Sequence, residues 1–200
     1  MLRNTRLTVV VVLGVGVVML SAAGLGEMLP GRDGALASAV IKNADGQAVG
    51  SLQLEDAGNG KSKITVGVTN LPVGYHGFHV HAKGVCDPHS TDPATGSPFF
   101  SAGGHFDLGS HPHDHHTGDL PSLLVGADGT GTASVVTDRF RASQLFDGDG
   151  SAVVIHALAD NHANIPDRYR NAEGAAGPDA ETLTAGDSGR RIACGVISGS

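Results

Sequence analysis

After residue 38 this chain has no long stretch in which apolar residues recur with the 3.6-residue helical period, and that constrains its fold most. In its place stand short β-type runs cut by Gly, Asn and Asp. The segment SAVIKNADGQAVGSLQLEDAGNGKSKITVGVTNL carries Asn43-Ala44-Asp45-Gly46 and Gly58-Asn59-Gly60 between its runs, and such clusters signal hairpin turns. Further runs cover Ser122–Val125, Gly131–Val136, Ala152–His156 and Ile192–Ile197. With thirty glycines and no tryptophan, the expected fold is all-β, a sandwich or barrel. Two segments, Lys83–Leu120 and Ala157–Arg190, are too long and polar for ordinary turns. Ordered loops of that length in compact domains usually carry function.

The amino terminus reads MLRNTR, then an apolar run from Leu7 to Ala23, then a small-residue stretch ending in Ala35-Leu36-Ala37. That order is the one of a secretory signal, with Ser21–Ala23 and Ala35–Ala37 as candidate cleavage motifs. Residues 1–37 are therefore expected to be a signal peptide or membrane anchor plus linker, and 38–200 one domain. Export places Cys86 and Cys194 in an oxidising compartment, where two thiols tend to pair. Without residues 1–37 the chain holds 10 basic and 18 acidic residues, net −8, which argues against nucleic acid as a partner.

All eleven histidines fall between His76 and His162. His79 and His81 sit in GYHGFHVHAKG, and residues two apart on a strand point to one face, so both imidazoles can converge on one ion. His105 follows SAGG and His156 ends SAVVIH, which gives four imidazoles from three separated pieces of chain. Nitrogen-only ligation suits copper(II). Rival copper sites need methionine or free thiolate, whereas Met1, Met19 and Met28 all lie in the leader and the cysteines are expected to be paired. In GGHFDLGSHPHDHHTGDLP, His111, His113, His115, His116 and Asp119 crowd one loop. Three histidines and a carboxylate are tetrahedral zinc ligands; the alternative is a solvated loop that binds metals loosely, a non-catalytic copper- and zinc-binding module.

The ordered blocks GFHVHAKGVCDP, SAGGHFD, HTGDLPSL, VVIHALAD and GRRIACGVI resemble the signature of the copper/zinc superoxide dismutases, and the phrases DNHANIPDRY and GPDAETLTAGDSG are most similar to exported actinobacterial members. The resemblance covers nearly all of residues 38–200 and implies a Greek-key antiparallel sandwich or flattened barrel, immunoglobulin-like, with two long functional loops. It implies that His79, His81, His105 and His156 hold copper, and that His105 also reaches zinc with His111, His116 and Asp119; His113 and His115 compete with His111. Asp160 would link the copper ligand His79 to a zinc histidine, Arg191 rather than Arg190 would attract the anion, and His105 would pass a proton. Cys86 and Cys194 match the family's disulfide. The substrate would be superoxide, the site of action extracytoplasmic, and membrane attachment and a homodimer the further associations.

Three departures stand out. The span from His105 to Asp119 is shorter than the family's usual loop, and some bacterial relatives with a loop this short lack zinc. Ala185 falls where many members place a threonine at the channel mouth. No lysine follows Lys83, so the family's steering lysines are missing from this loop, and Arg168 and Arg170 are either their substitutes or ordinary surface charges.

Overall fold

The computed structural model describes residues 34–200. The apolar run and the Ser21–Ala23 motif lie outside the described residues. Ten strands follow in order: β1 (Ala35–Asn43), β2 (Ala48–Gly58), β3 (Lys61–Val68), β4 (Gly74–His76), β5 (Phe78–His81), β6 (Leu123–Val125), β7 (Gly131–Thr137), β8 (Ala152–His156), β9 (Arg191–Val196) and β10 (Ser198–Gly199). The main antiparallel sheet runs β5-β8-β9-β1-β2-β3-β7, with β10 on β1 and a separate β4–β6 pair. The chain leaves β3 and crosses to the far edge for β5, and β7 later returns to pair with β3, which is Greek-key connectivity. This curled sheet is the all-β architecture the glycine-punctuated runs predict.

β1 begins at Ala35, three residues ahead of the expected domain start. Ala35 pairs with Glu55, and Ala37 pairs with both Leu54 and Gly199. The Ala35–Ala37 motif is thus part of the sheet, with Ala37 fully buried.

Alternation places the core. Ala37, Ala39 and Ile41 of β1 and Ile64, Val66 and Val68 of β3 point into one apolar interior with Phe78, Val80, Val153 and Ile155. All five residues of β8 are buried because both of its faces are covered. Val153 and Ile155 face the main core, while Ala152 and Val154 pack with Phe99, Ala102 and Cys194 in a second cluster beneath the loop that follows β5. On β5 the same parity sends Phe78 and Val80 inward and His79 and His81 to the opposite face. The side that carries the chemistry is therefore fixed by the strand pleat.

The sequence pattern disfavours helices, and among the described residues the structure adds one short α-helix, α1 (Ala180–Ala185), besides two 3-10 turns. Asp179 caps it by accepting the Thr182 N–H (2.9 Å), and Gly186 ends it at φ 59°. Six residues are too few to display a helical period.

Cys86 and Cys194 form a disulfide with Cα atoms 5.7 Å apart, 108 residues apart in sequence. It fastens the loop after β5 to β9, whose first residue is Arg191. Replacing both cysteines with serine is expected to lower the unfolding free energy by about 2–5 kcal/mol. Denaturant titration under oxidising conditions measures this, and an unchanged midpoint would show that the tie contributes nothing.

Candidate metal centre

The site is assembled on β5. Two pieces of the following loop lie along it, with bridges between His81 and His105 and between His79 and Asp119. Val80 accepts the Phe106 N–H (2.8 Å) and donates to Gly118 O (2.9 Å), while the Gly118 N–H reaches Phe106 O (2.7 Å). A Cβ at Gly118 would overlap the Val80 carbonyl oxygen, so this approach requires glycine. Asp119 and His105 are thereby brought beside the two strand histidines, and β8 delivers His156 from the other side of β5.

His79, His81, His105 and His156 each present a ring nitrogen to one point, all four atoms lying within 4.8 Å of one another. The opposite nitrogens are engaged: His79 Nε2–H donates to Asp160 Oδ2 (2.7 Å), His81 Nδ1–H to Gly103 O (2.9 Å) and His156 Nδ1–H to Gly189 O (2.9 Å). These bonds fix the tautomers and turn the remaining lone pairs inward. His79 Nδ1 and the Nε2 atoms of His81, His105 and His156 are buried without a hydrogen-bond partner among the described residues. Buried polar atoms normally find partners. Four unpartnered lone pairs converging on one point fit a cation, and four nitrogens fit copper(II).

A second group shares His105. The Nδ1 atoms of His105, His113 and His116 surround Asp119, at 2.6 Å from Oδ1 for the first and 3.3 and 3.4 Å from Oδ2 for the others. Three nitrogens and a carboxylate match a tetrahedral zinc site, and His113 Nδ1, though 3.3 Å from Asp119 Oδ2, forms no hydrogen bond among the described residues.

The expected His111 stands outside this group. Its Nδ1 is bonded to Asp107 Oδ1 (2.7 Å) and its ring is half exposed, while His113 takes the inner place. His115 is also turned outward, beside Asp114. The selection comes from Asp107, which captures His111 four residues on, and from Asp160, whose Oδ1 accepts His113 Nε2–H (2.9 Å). Asp160 thus joins His79 to His113, one ring from each cluster.

Arg191 lies at the first cluster's opening. Its Nη1 donates to Phe99 O (2.6 Å), its Nη2 to Gly103 O (2.7 Å) and its backbone N–H to Ser97 Oγ (2.9 Å). Gly103 O therefore accepts from both Arg191 and His81, a link that nothing in SAGG announces. A channel of about 730 Å³ reaches His81, His105 and His156 and is lined by Arg170, Arg190, Arg191 and Ala185. Arg168 is not among its lining residues. Asp92, Glu173, Asp179, Glu181 and Asp187 also line it, so any positive guide acts locally, near Arg191.

Burial holds His79, His81 and His156 below their ordinary pKa and brings His105 to about 4, which keeps the first cluster neutral at pH 7. Burial also pushes His113 down, but Asp119 and Asp160 outweigh it and raise it to about 9. Both carboxylates stay well below the usual carboxylate range, since their histidine partners overcome the effect of burial. In the metal-free protein the unfolded chain takes up protons near pH 6.5 at the four depressed histidines while the folded chain does not. Stability should therefore fall as pH drops from 6.5 toward 4, with a further loss below the carboxylate range. His113 acts oppositely, its contribution being complete below 6.5 and lost as pH rises through about 9. Thermal melts of the metal-free protein at pH 7, 6 and 5 test this, and a midpoint independent of pH would contradict it.

The family model for copper/zinc superoxide dismutase (SODC) matches residues 48–197. A superoxide dismutase [Cu-Zn] of Mycolicibacterium paratuberculosis is 42% identical over 183 residues, covering 88% of this chain and 80% of the relative. The protein of that name from Mycobacterium tuberculosis is 45% identical over 159 residues, covering 76% of this chain and 66% of the relative. Among solved structures, the Cu/Zn superoxide dismutase from Brucella abortus superposes with a TM-score of 0.63 at 28% identity, covering 81% of this chain and 99% of that one. Family match, relatives and fold agree with the two histidine clusters: the chain belongs to the copper/zinc superoxide dismutase family.

Proposed function

We propose that this protein is a superoxide dismutase acting outside the cytoplasm, converting two superoxide anions and two protons to one oxygen and one hydrogen peroxide. The observation that carries the reading is the set of four buried ring nitrogens of His79, His81, His105 and His156 with no hydrogen-bond partner among the described residues, three of them, His81, His105 and His156, on rings that an open channel reaches. These residues would hold copper, and His105, His113, His116 and Asp119 would hold zinc. Copper, when bound, supplies the one-electron chemistry by taking an electron from one superoxide and giving it to the next.

The chain's own part is positioning and charge. Arg191, pinned to two carbonyls, presents a fixed cation beside the cluster, where a small anion gains attraction that the acidic surroundings withhold. His105 Nε2 faces the first cluster without a hydrogen-bond partner among the described residues and is the atom at which this chain would hold a proton for peroxide formation. Asp119 on its other nitrogen keeps the ring oriented. The alternative metal-buffering module draws no support from HPHDHH, since Asp107 engages His111, and His113 and His116 turn into the shared cluster.

Export is part of the reading, supported by the leader sequence and the disulfide. Of the two cleavage motifs the one at Ser21–Ala23 leaves β1 whole, so the exported protein is expected to begin near Gly24; an intact-mass measurement starting at Ser38 would contradict this. Membrane attachment applies where residues 1–23 are retained. A homodimer is supported by the exposed Tyr75 and Leu124, which face each other across β4 and β6, and sedimentation equilibrium checks it.

Reconstituted with copper and zinc, the protein should hold one of each and remove superoxide at a rate that falls with added salt. His156→Ala should lose tight copper and turnover together. Arg191→Ala should keep its copper and lose about tenfold in kcat/KM. Two tightly held metals without superoxide removal would overturn the proposal.

A further inference from the structure

A carboxylate outside both clusters ties the long second loop to the hydrogen bond that orients His113. Gly186 packs directly on that bond: at φ +59° its backbone lies so close that an added Cβ would overlap both Asp160 Oδ1 and His113 Nε2. The cover must therefore be glycine, and it keeps water from the Asp160–His113 contact. Gly186 is held on both sides, its N–H donating to Thr182 O (3.2 Å) and its carbonyl accepting the Asn161 N–H (2.8 Å).

The next residue, Asp187, gathers three side-chain donors. Asn161 Nδ2 and Thr182 Oγ1 each lie 2.7 Å from its carboxylate, and Tyr169 Oη donates to it as well. Asn161 directly follows Asp160, so its bond to Asp187 joins the stretch that bears the bridging carboxylate to the stretch that covers it. Tyr169 adds the loop before α1, and Thr182 adds α1 itself. Asp187 adopts φ 57°, a left-handed conformation that a non-glycine residue rarely takes without compensation.

We propose that Asp187 is a positioning residue for the second metal site: its three hydrogen bonds seat Gly186 on the Asp160–His113 contact and so hold the His113 ring toward the metal. The inference rests on reading His105, His113, His116 and Asp119 as the zinc ligands. Without the Asp187 carboxylate, Gly186 lifts, water reaches Asp160, and His113 loses its fixed orientation. His81, held by Gly103 O on the other long loop, is unaffected.

The test follows zinc release into excess chelator from the copper- and zinc-loaded protein, and the visible spectrum of cobalt(II) at the second position. Asp187→Ala is expected to release zinc about 10- to 100-fold faster, the range typical of lost outer contacts to a metal ligand, and to shift the cobalt spectrum. Asp187→Asn should fall between, since its amide oxygen still accepts from Asn161 and Tyr169. The control is Asp128→Ala, which removes the bonds to Thr130 in the β6–β7 turn and should lower the melting temperature while leaving zinc release unchanged. Wild-type zinc retention and cobalt spectrum in Asp187→Ala would overturn the proposal, as would equally fast release from Asp128→Ala. Should Asp187→Ala fail to fold, Asp187→Asn decides against the same control. A wild type that binds copper but takes up no zinc would remove the ligand reading itself, and the proposal with it.

Discussion

Everything in this structure turns on hydrogen bonds to the far side of imidazole rings. A buried histidine offers a lone pair only if its other nitrogen holds the proton, and that proton must have somewhere to go. Here Gly103 O, Gly189 O and Asp160 accept it for His81, His156 and His79. The cost is a cluster of lone pairs facing one another in a buried site. The folded chain tolerates this because β5 and β8 are fixed from the opposite face by Phe78, Val80, Val153 and Ile155.

The acceptors come from the loops, which explains why long irregular segments are so firmly stitched to the sheet. The first loop carries Gly103, whose carbonyl serves His81 and Arg191 together, and the disulfide fastens that same loop to β9. Arg191 and His81 thus share one backbone atom as their reference point. The second loop supplies Gly189 O and Asp160, so the channel wall and the orientation of the histidines belong to a single construction. Asp160 extends it to the second cluster through His113.

Local periodicity made part of this legible. The H-x-H alternation placed His79 and His81 on one face, and β5 shows that face turned away from the core. Glycine-punctuated runs likewise announced the strands, since turn chemistry is written in neighbouring residues. Position within the His-rich loop was not legible. His111, His113 and His115 are equivalent by spacing, and their fates are settled by Asp107 four residues away and by Asp160 forty-seven residues on. A contact of the latter kind leaves no local trace. Helix α1 was too short to show a period, and Gly186 and Asp187 looked like two more residues of a polar loop.

Four imidazole nitrogens are expected to converge on a single copper in a site set by the fold. Electron paramagnetic resonance of the protein loaded with one equivalent of copper(II) tests it most directly through nitrogen superhyperfine structure. One homogeneous signal coupled to four nitrogens is expected, reduced to three in His156→Gln. A mixed signal from two or fewer nitrogens, unchanged by that substitution, would show loose binding elsewhere and contradict it.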